Sequence, residues 1–183
     1  MAKATRKKAA RKARSSARSS SRGRSRPRDA VALLKADHRQ VEGWFSEFED
    51  TTRASRKAKL AAQICQALRA HMSVEEEIFY PAFLKQAEEE DIHHEAVVEH
   101  AGAKSLIDQI ESGSPDDDYY DAKVKVLSEM IKHHVKEEEQ PGGMFAKARQ
   151  ADMDLVALGE RMASRRAELL KQPQRRGRAA MAA

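Results

Sequence analysis

The chain has 183 residues, 40% hydrophobic and 34% charged, which suits one ordinary domain with a modest core. Aromatics are only 5%, and the 8 glycines and 5 prolines cluster rather than punctuate, which argues against a fold of many short strands. The formal net charge of +5 is unevenly spread, with 12 Lys or Arg and no acid in residues 1–28, 4 more Lys or Arg and no acid in 171–183, and 18 basic against 29 acidic residues between them, a net of −11.

The first 28 residues, "MAKATRKKAARKARSSARSSSRGRSRPR", are low-complexity Ala, Lys, Arg and Ser, with nothing aliphatic larger than alanine after Met1. Such a segment buries too little to offset its ordering entropy and is expected to be a disordered basic tail. Its charge suits non-specific contact with nucleic acid or another polyanion; a solubilising tail and an organellar transit peptide are the alternatives.

From Asp29, a candidate N-cap, the pattern becomes helical. Leu34, His38, Val41, Phe45 and Phe48 fall on one helix face. Leu60, Ile64, Leu68 or Ala67, His71, Glu75 and Ile78 mark a second helix, which Pro81 is expected to kink or end near Phe79. His93, Val97, His100, Lys104 or Ala103, Ile107 and Ile110 mark a third, closed by "SGSPDDD". Tyr120, Val124, Leu127, Ile131, His134 and Glu138 mark a fourth, broken by "QPGG" at 140–143. A last amphipathic stretch runs roughly from Leu155 to Leu170. Short connections predict an all-α, up-down-up-down four-helix bundle over 29–150, with a C-terminal helix appended outside it in 151–183.

In each of the four helices a histidine stands where the aliphatic stripe points inward: His38, His71, His100 and His134. Any one of them reads as an ordinary buried histidine, but four, with Glu75 and Glu138 on the same stripes, are costly to bury without something to compensate. Antiparallel packing brings the six to one level within roughly one or two turns. His71 with Glu75, and His134 with Glu138, have the i,i+4 spacing that aims an imidazole and a carboxylate at one point. Four nitrogens and two carboxylates without thiolate suit iron, manganese or zinc, and carboxylates able to bridge favour two ions over one. His133 is rotated off the stripe, and the glutamates beside Glu75 and Glu138 miss the i+4 position. Asp37 reads as exposed, with support of a ligand from behind as the alternative, Trp44 and Phe45 as core anchors, Cys65 as a small core residue, and Tyr80 as a group that could approach the pocket.

These segments, "LLKADHRQVEGWF", "HMSVEEEIFYP", "VVEH", "HHVKEEE" and "MFAKAR", resemble the hemerythrin-like HHE cation-binding domain over about residues 30–150, with "MFAKAR" assigned to the fourth helix. The resemblance implies a non-haem di-iron centre held by His38, His71, Glu75, His100, His134 and Glu138, and the handling of dioxygen, nitric oxide, peroxide or iron. Oxygen-carrying members have a second histidine four residues before the one matching His100; here that position is Ala96. The departure argues against reversible oxygen carriage and for peroxide, nitric oxide or iron chemistry. "QPGGMF" is expected to loosen the helix end beside the site. The competing functions are a small-ligand binding protein, a peroxide-decomposing enzyme, and a nucleic-acid-associated protein with the bundle as sensor. A lone cysteine, no apolar run of about 18 residues and no apolar stretch near Met1 predict a cytoplasmic setting without a membrane span.

Overall fold

A computed structural model describes residues 29–87 and 89–171; the expected disordered tail of 1–28 and the basic residues after 171 lie outside them. Seven α-helices and one π-helical segment account for the ordered elements, with no strand among the described residues. Helix α1 (Ala30–Asp50) starts at Asp29, whose Oδ1 accepts the Ala32 N–H at 2.8 Å, as the sequence predicts. Helix α2 (Ala54–Val74) continues through a π-helical segment (Glu75–Phe79) into α3 (Tyr80–Ala87). Helices α4 (Glu90–Glu111) and α5 (Tyr120–Glu139) complete the bundle, and α6 (Met144–Gln150) and α7 (Leu155–Lys171) follow. Contacts of α1 with α2, α2 with α4, α4 with α5 and α5 with α1 close the four long helices into a ring. None of the described helices is long and apolar enough to cross a membrane.

Four expectations need correction. Of the two outcomes expected at Pro81, the ending is not seen: the helix runs on to Ala87, distorted over Glu75–Phe79. Proline lacks an N–H and its ring crowds the preceding turn; here the turn widens, and the Tyr80 N–H reaches back to the Glu75 carbonyl five residues earlier. In a regular α-helix, residues five apart lie about 140° apart on the wheel. The wider turn brings Tyr80 round toward the Glu75 side, and both are buried. Second, "MFAKAR" is not part of the fourth helix but forms α6 after a turn. Third, "QPGG" does not loosen the end of α5. Gly142, at φ +84°, reverses the chain, and Gly143 packs so closely that an added Cβ would lie 2.2 Å from the Glu137 carbonyl oxygen. Within the third helix, Val97 is 40% exposed rather than inward, while Ala96 and Ala103 are buried.

Helix α7 lies on the outside of α1 and α2, burying Leu155, Leu158 and Met162. The Asp154 carboxylate caps it by accepting the Ala157 N–H at 3.0 Å. The apolar core divides into two clusters. One, around Phe45, Leu60, Ile64, Ile107 and Leu127, includes Cys65 and packs against Trp44. The other, around Leu34, Phe79, Phe83, Met144 and Phe145, includes Ala96, Tyr80 and Met162. The buried polar residues fall in neither cluster.

Candidate metal centre

Each half of the bundle supplies the same set in the same order. Asp37-His38 on α1 precedes His71-x3-Glu75-Glu76, and Glu99-His100 on α4 precedes His134-x3-Glu138-Glu139 on α5. The histidines pair within their halves: His38 Nε2 lies 3.1 Å from His71 Nε2, and His100 Nε2 lies 3.3 Å from His134 Nε2. The carboxylates join the halves. Glu75 Oε2 is 3.3 Å from His71 Nε2 and 3.4 Å from His100 Nε2. Glu138 Oε2 is 3.4 Å from His38 Nε2 and 3.6 Å from His134 Nε2. All six residues are at most 5% exposed.

Behind each imidazole stands another carboxylate. Glu139 meets His38 Nδ1 at 2.8 Å, Glu76 meets His100 Nδ1 at 2.9 Å, and Glu99 meets His134 Nδ1 at 2.7 Å. Asp37 stands 3.7 Å from His71 Nδ1. A carboxylate at Nδ1 fixes the proton there and turns the Nε2 lone pair toward the centre. The His100–His134 pair therefore aims two lone pairs at each other across 3.3 Å. That arrangement is repulsive unless a cation lies between them.

The carboxylates make the same demand. Both oxygens of Glu75 and of Glu138 are buried without a hydrogen bond. Burial pushes Glu75 up to about 7, and burial with the charge of Glu75 pushes Glu138 well above the usual carboxylate range. Burial, reinforced by His71 and His134, drives His38 far below the usual imidazole value, and burial lowers His100. Two clusters of potential ligand atoms result, one from His38, His71, Glu75 and Glu138 and one from Glu75, His100 and His134, each lying within 4.8 Å of one another. Neutral imidazole nitrogens and orphaned carboxylate oxygens in two adjoining clusters fit a pair of cations of the iron, manganese or zinc kind.

The structure thus brings together all six inward residues picked out in the sequence. His133 is turned out, with 64% of its side chain exposed and Nε2 3.3 Å from Glu99. His93 does not join; its ring packs edge-on against Tyr80 at 5.5 Å. Tyr80 does reach the site, its hydroxyl 3.2 Å from His100 Nε2. Burial and the charges of Glu75 and Glu138 hold that phenol well above its ordinary value.

The exposed reading of Asp37 fails: it is buried, because α7 covers it and Arg166 Nε donates to it at 2.6 Å. Glu76 and Glu139 miss the i+4 position, as the sequence predicts, and each reaches instead the Nδ1 of a histidine on a neighbouring helix. The signal was present as a repeat, an acid just before each first histidine and a second glutamate just after each i+4 glutamate.

An all-α bundle enclosing paired histidines bridged by two buried carboxylates defines a cation-binding protein. The chain belongs to the hemerythrin HHE cation-binding domain family, which matches residues 29–142. Among solved structures, a hemerythrin HHE cation binding domain-containing protein from Mycobacterium kansasii shares the fold with a TM-score of 0.65, at 22% identity, covering 78% of this chain and 87% of that one. Among curated proteins, a DNA nickase of Nostoc sp. (strain PCC 7120 / SAG 25.82 / UTEX 2576) is 27% identical over 110 residues, 58% of this chain. The match spans only 30% of that protein's length.

Proposed function

We propose that the protein holds two non-haem iron ions through His38, His71, Glu75, His100, His134 and Glu138 and handles a small ligand, namely dioxygen, nitric oxide or peroxide. The observation that carries this reading is the bridging of both histidine pairs by Glu75 and Glu138, with Nδ1 of His38, His100 and His134 held by further carboxylates. Bound iron supplies redox chemistry and Lewis acidity toward such ligands. The chain's own groups do the rest. Glu139, Glu76 and Glu99 orient the imidazoles and raise their basicity. Burial of all six residues keeps bulk water from them. Tyr80 offers a buried hydroxyl beside His100, in the cluster that also contains Ala96. Iron-supplied protein is expected to carry close to two iron ions per chain; elemental analysis finding none would sink the reading. Optical spectra with and without oxygen, and peroxide-consumption assays, separate oxygen binding from peroxide decomposition. Ala96, in place of a histidine, favours the latter. The cytoplasm is the compartment this reading assigns, and burial of the lone thiol, Cys65, accords with it.

A second reading concerns nucleic acid, favoured by the 12 basic residues in 1–28 and the match to a DNA nickase. A segment without aromatics for stacking contacts phosphates but does not read bases. Full-length protein is expected to bind duplex DNA weakly and without sequence preference, with affinity falling steeply as salt rises. Removing residues 1–28 is expected to abolish binding and leave the metal site intact, because the segment 29–170 carries a net −11. Gel-shift titrations at two salt concentrations test this; binding that survives the truncation would show that the tail is not the contact.

A further inference from the structure

The carboxylates behind the four imidazoles each meet a basic side chain on their outer side. Glu139 meets Lys35 at 3.3 Å, Glu76 meets Lys104 at 2.6 Å, and Glu99 meets the His133 ring at 3.3 Å. All three partners come from the four bundle helices. Asp37 differs. Its partner, Arg166, comes from α7, which lies wholly beyond residue 142, where the family match ends. Asp37 is also the carboxylate set furthest back. Arg166 Nε holds Oδ2 at 2.6 Å, and the same Oδ2 is 3.7 Å from His71 Nδ1, beyond hydrogen-bond reach. His71 Nδ1 is buried with no hydrogen-bond partner, while the other three Nδ1 atoms have theirs at 2.9 Å or less.

We propose that α7 is a positioning element of the metal centre: Arg166 draws Asp37 away from His71 and thereby sets how firmly the His71 imidazole is held. The bond to the guanidinium is charge-assisted and fixes Oδ2 where it stands 3.7 Å from His71 Nδ1, beyond the reach of the imidazole N–H. The side chain of Asp37 is only 10% exposed, so without the arginine its nearest available donor is His71 Nδ1–H. The apolar anchors Leu158 and Met162, and the fork of Arg165 onto Glu77 at 2.7 and 3.1 Å, dock the helix that carries Arg166. The docking of a segment outside the family domain is thus coupled to one half of the site and not to the other.

This inference rests on His71 being a metal ligand, and the test separates the two. Zinc-loaded full-length protein with 15N-labelled histidine is diamagnetic, and each metal-bound imidazole reports its Nδ1–H as a separate signal. Arg166→Met keeps the packing and removes the donors. The expected result is a downfield shift of the His71 Nδ1–H signal alone, with zinc release slowed by about 10-fold, the scale on which such outer partners act. Arg166→Lys should restore the native signal. Arg165→Met, which breaks the Glu77 pair but leaves Asp37 alone, should shift nothing at His71. Zinc bound normally with the His71 signal unmoved in Arg166→Met would overturn the proposal and leave the metal site standing, and so would equal movement of all four signals. Failure of the native protein to bind zinc through these imidazoles would overturn both.

Discussion

Glu138→Gln is expected to strip the protein of most of its metal and yet raise the melting temperature of the metal-free form at pH 8. Glu138 is buried with both oxygens unpartnered, and burial pushes its carboxyl well above the usual range. Glu75 behaves alike, pushed up to about 7. A group raised in the folded state contributes its full stability below the unfolded value of 4.5 and loses it as pH climbs through the folded value. The buried imidazoles of His38 and His100 act oppositely: their values fall on folding, so their contribution is present above 6.5 and lost as pH drops. On these groups alone the metal-free protein should be level in stability between about pH 4.5 and 6.5, where the two pairs cancel, and weaken above 6.5, where only the glutamates still change. Gln at 138 carries no charge to strand and brings an amide N–H to the lone pairs of His38 and His134. A gain of about 5 °C at pH 8 is what ~2 kcal/mol produces in a chain of this size. His133→Ala, at an outward-turned side chain, should change neither quantity appreciably. The checks are iron per chain after loading and thermal melts of chelated protein at pH 6.5 and 8.5. A lower melting temperature for the chelated variant at pH 8 would refute the account.

That opposition between site and stability explains what the sequence made legible. Aliphatic periodicity fixes which face of each helix is inward, so His38, His71, His100 and His134 could be placed without coordinates, as could the i+4 partners Glu75 and Glu138. Their anomaly was energetic: six polar groups where the pattern demands apolar ones. Glu76, Glu99 and Glu139 were not legible in this way, because each meets a histidine on another helix, and helix-wheel reasoning is confined to one helix at a time. Tyr80 was legible only as a neighbour of the pocket, for a related reason. Its place beside His100 depends on the π-helical turn before Pro81, which shifts every later residue on the wheel. Arg166 sits on a helix whose own periodicity says only that Leu155, Leu158 and Met162 are covered, not what they cover.

Gly143→Ala is expected to cost about 2–3 kcal/mol of stability, the scale of a forced backbone rearrangement, and to lower metal content as well. The dihedral angles of Gly143, φ −72° and ψ −178°, suit any residue, so the requirement is one of space. An added Cβ would lie 2.2 Å from the Glu137 carbonyl oxygen, 3.0 Å from that of Glu138 and 3.1 Å from that of Gln140. These are backbone atoms and cannot turn aside, so the turn itself must open. Opening it pulls on both things it joins. On one side is the end of α5, which carries Glu138 and the Glu139 that holds His38 Nδ1 at 2.8 Å. On the other is α6, whose Phe145 ring stacks on His38 with centroids 5.8 Å apart. Gly102→Ala is the matched comparison. There the nearest atom to an added Cβ is Met130 Cε at 2.7 Å, the free end of a flexible side chain. Gly102 also lies within α4, where alanine gains about 0.5–1 kcal/mol over glycine. That substitution should be neutral or stabilising once Met130 moves. Denaturant midpoints and iron per chain on the two variants decide the matter. If Gly143→Ala unfolds at the same midpoint as Gly102→Ala and keeps its metal, the turn is not what holds Glu138 and Glu139 in place.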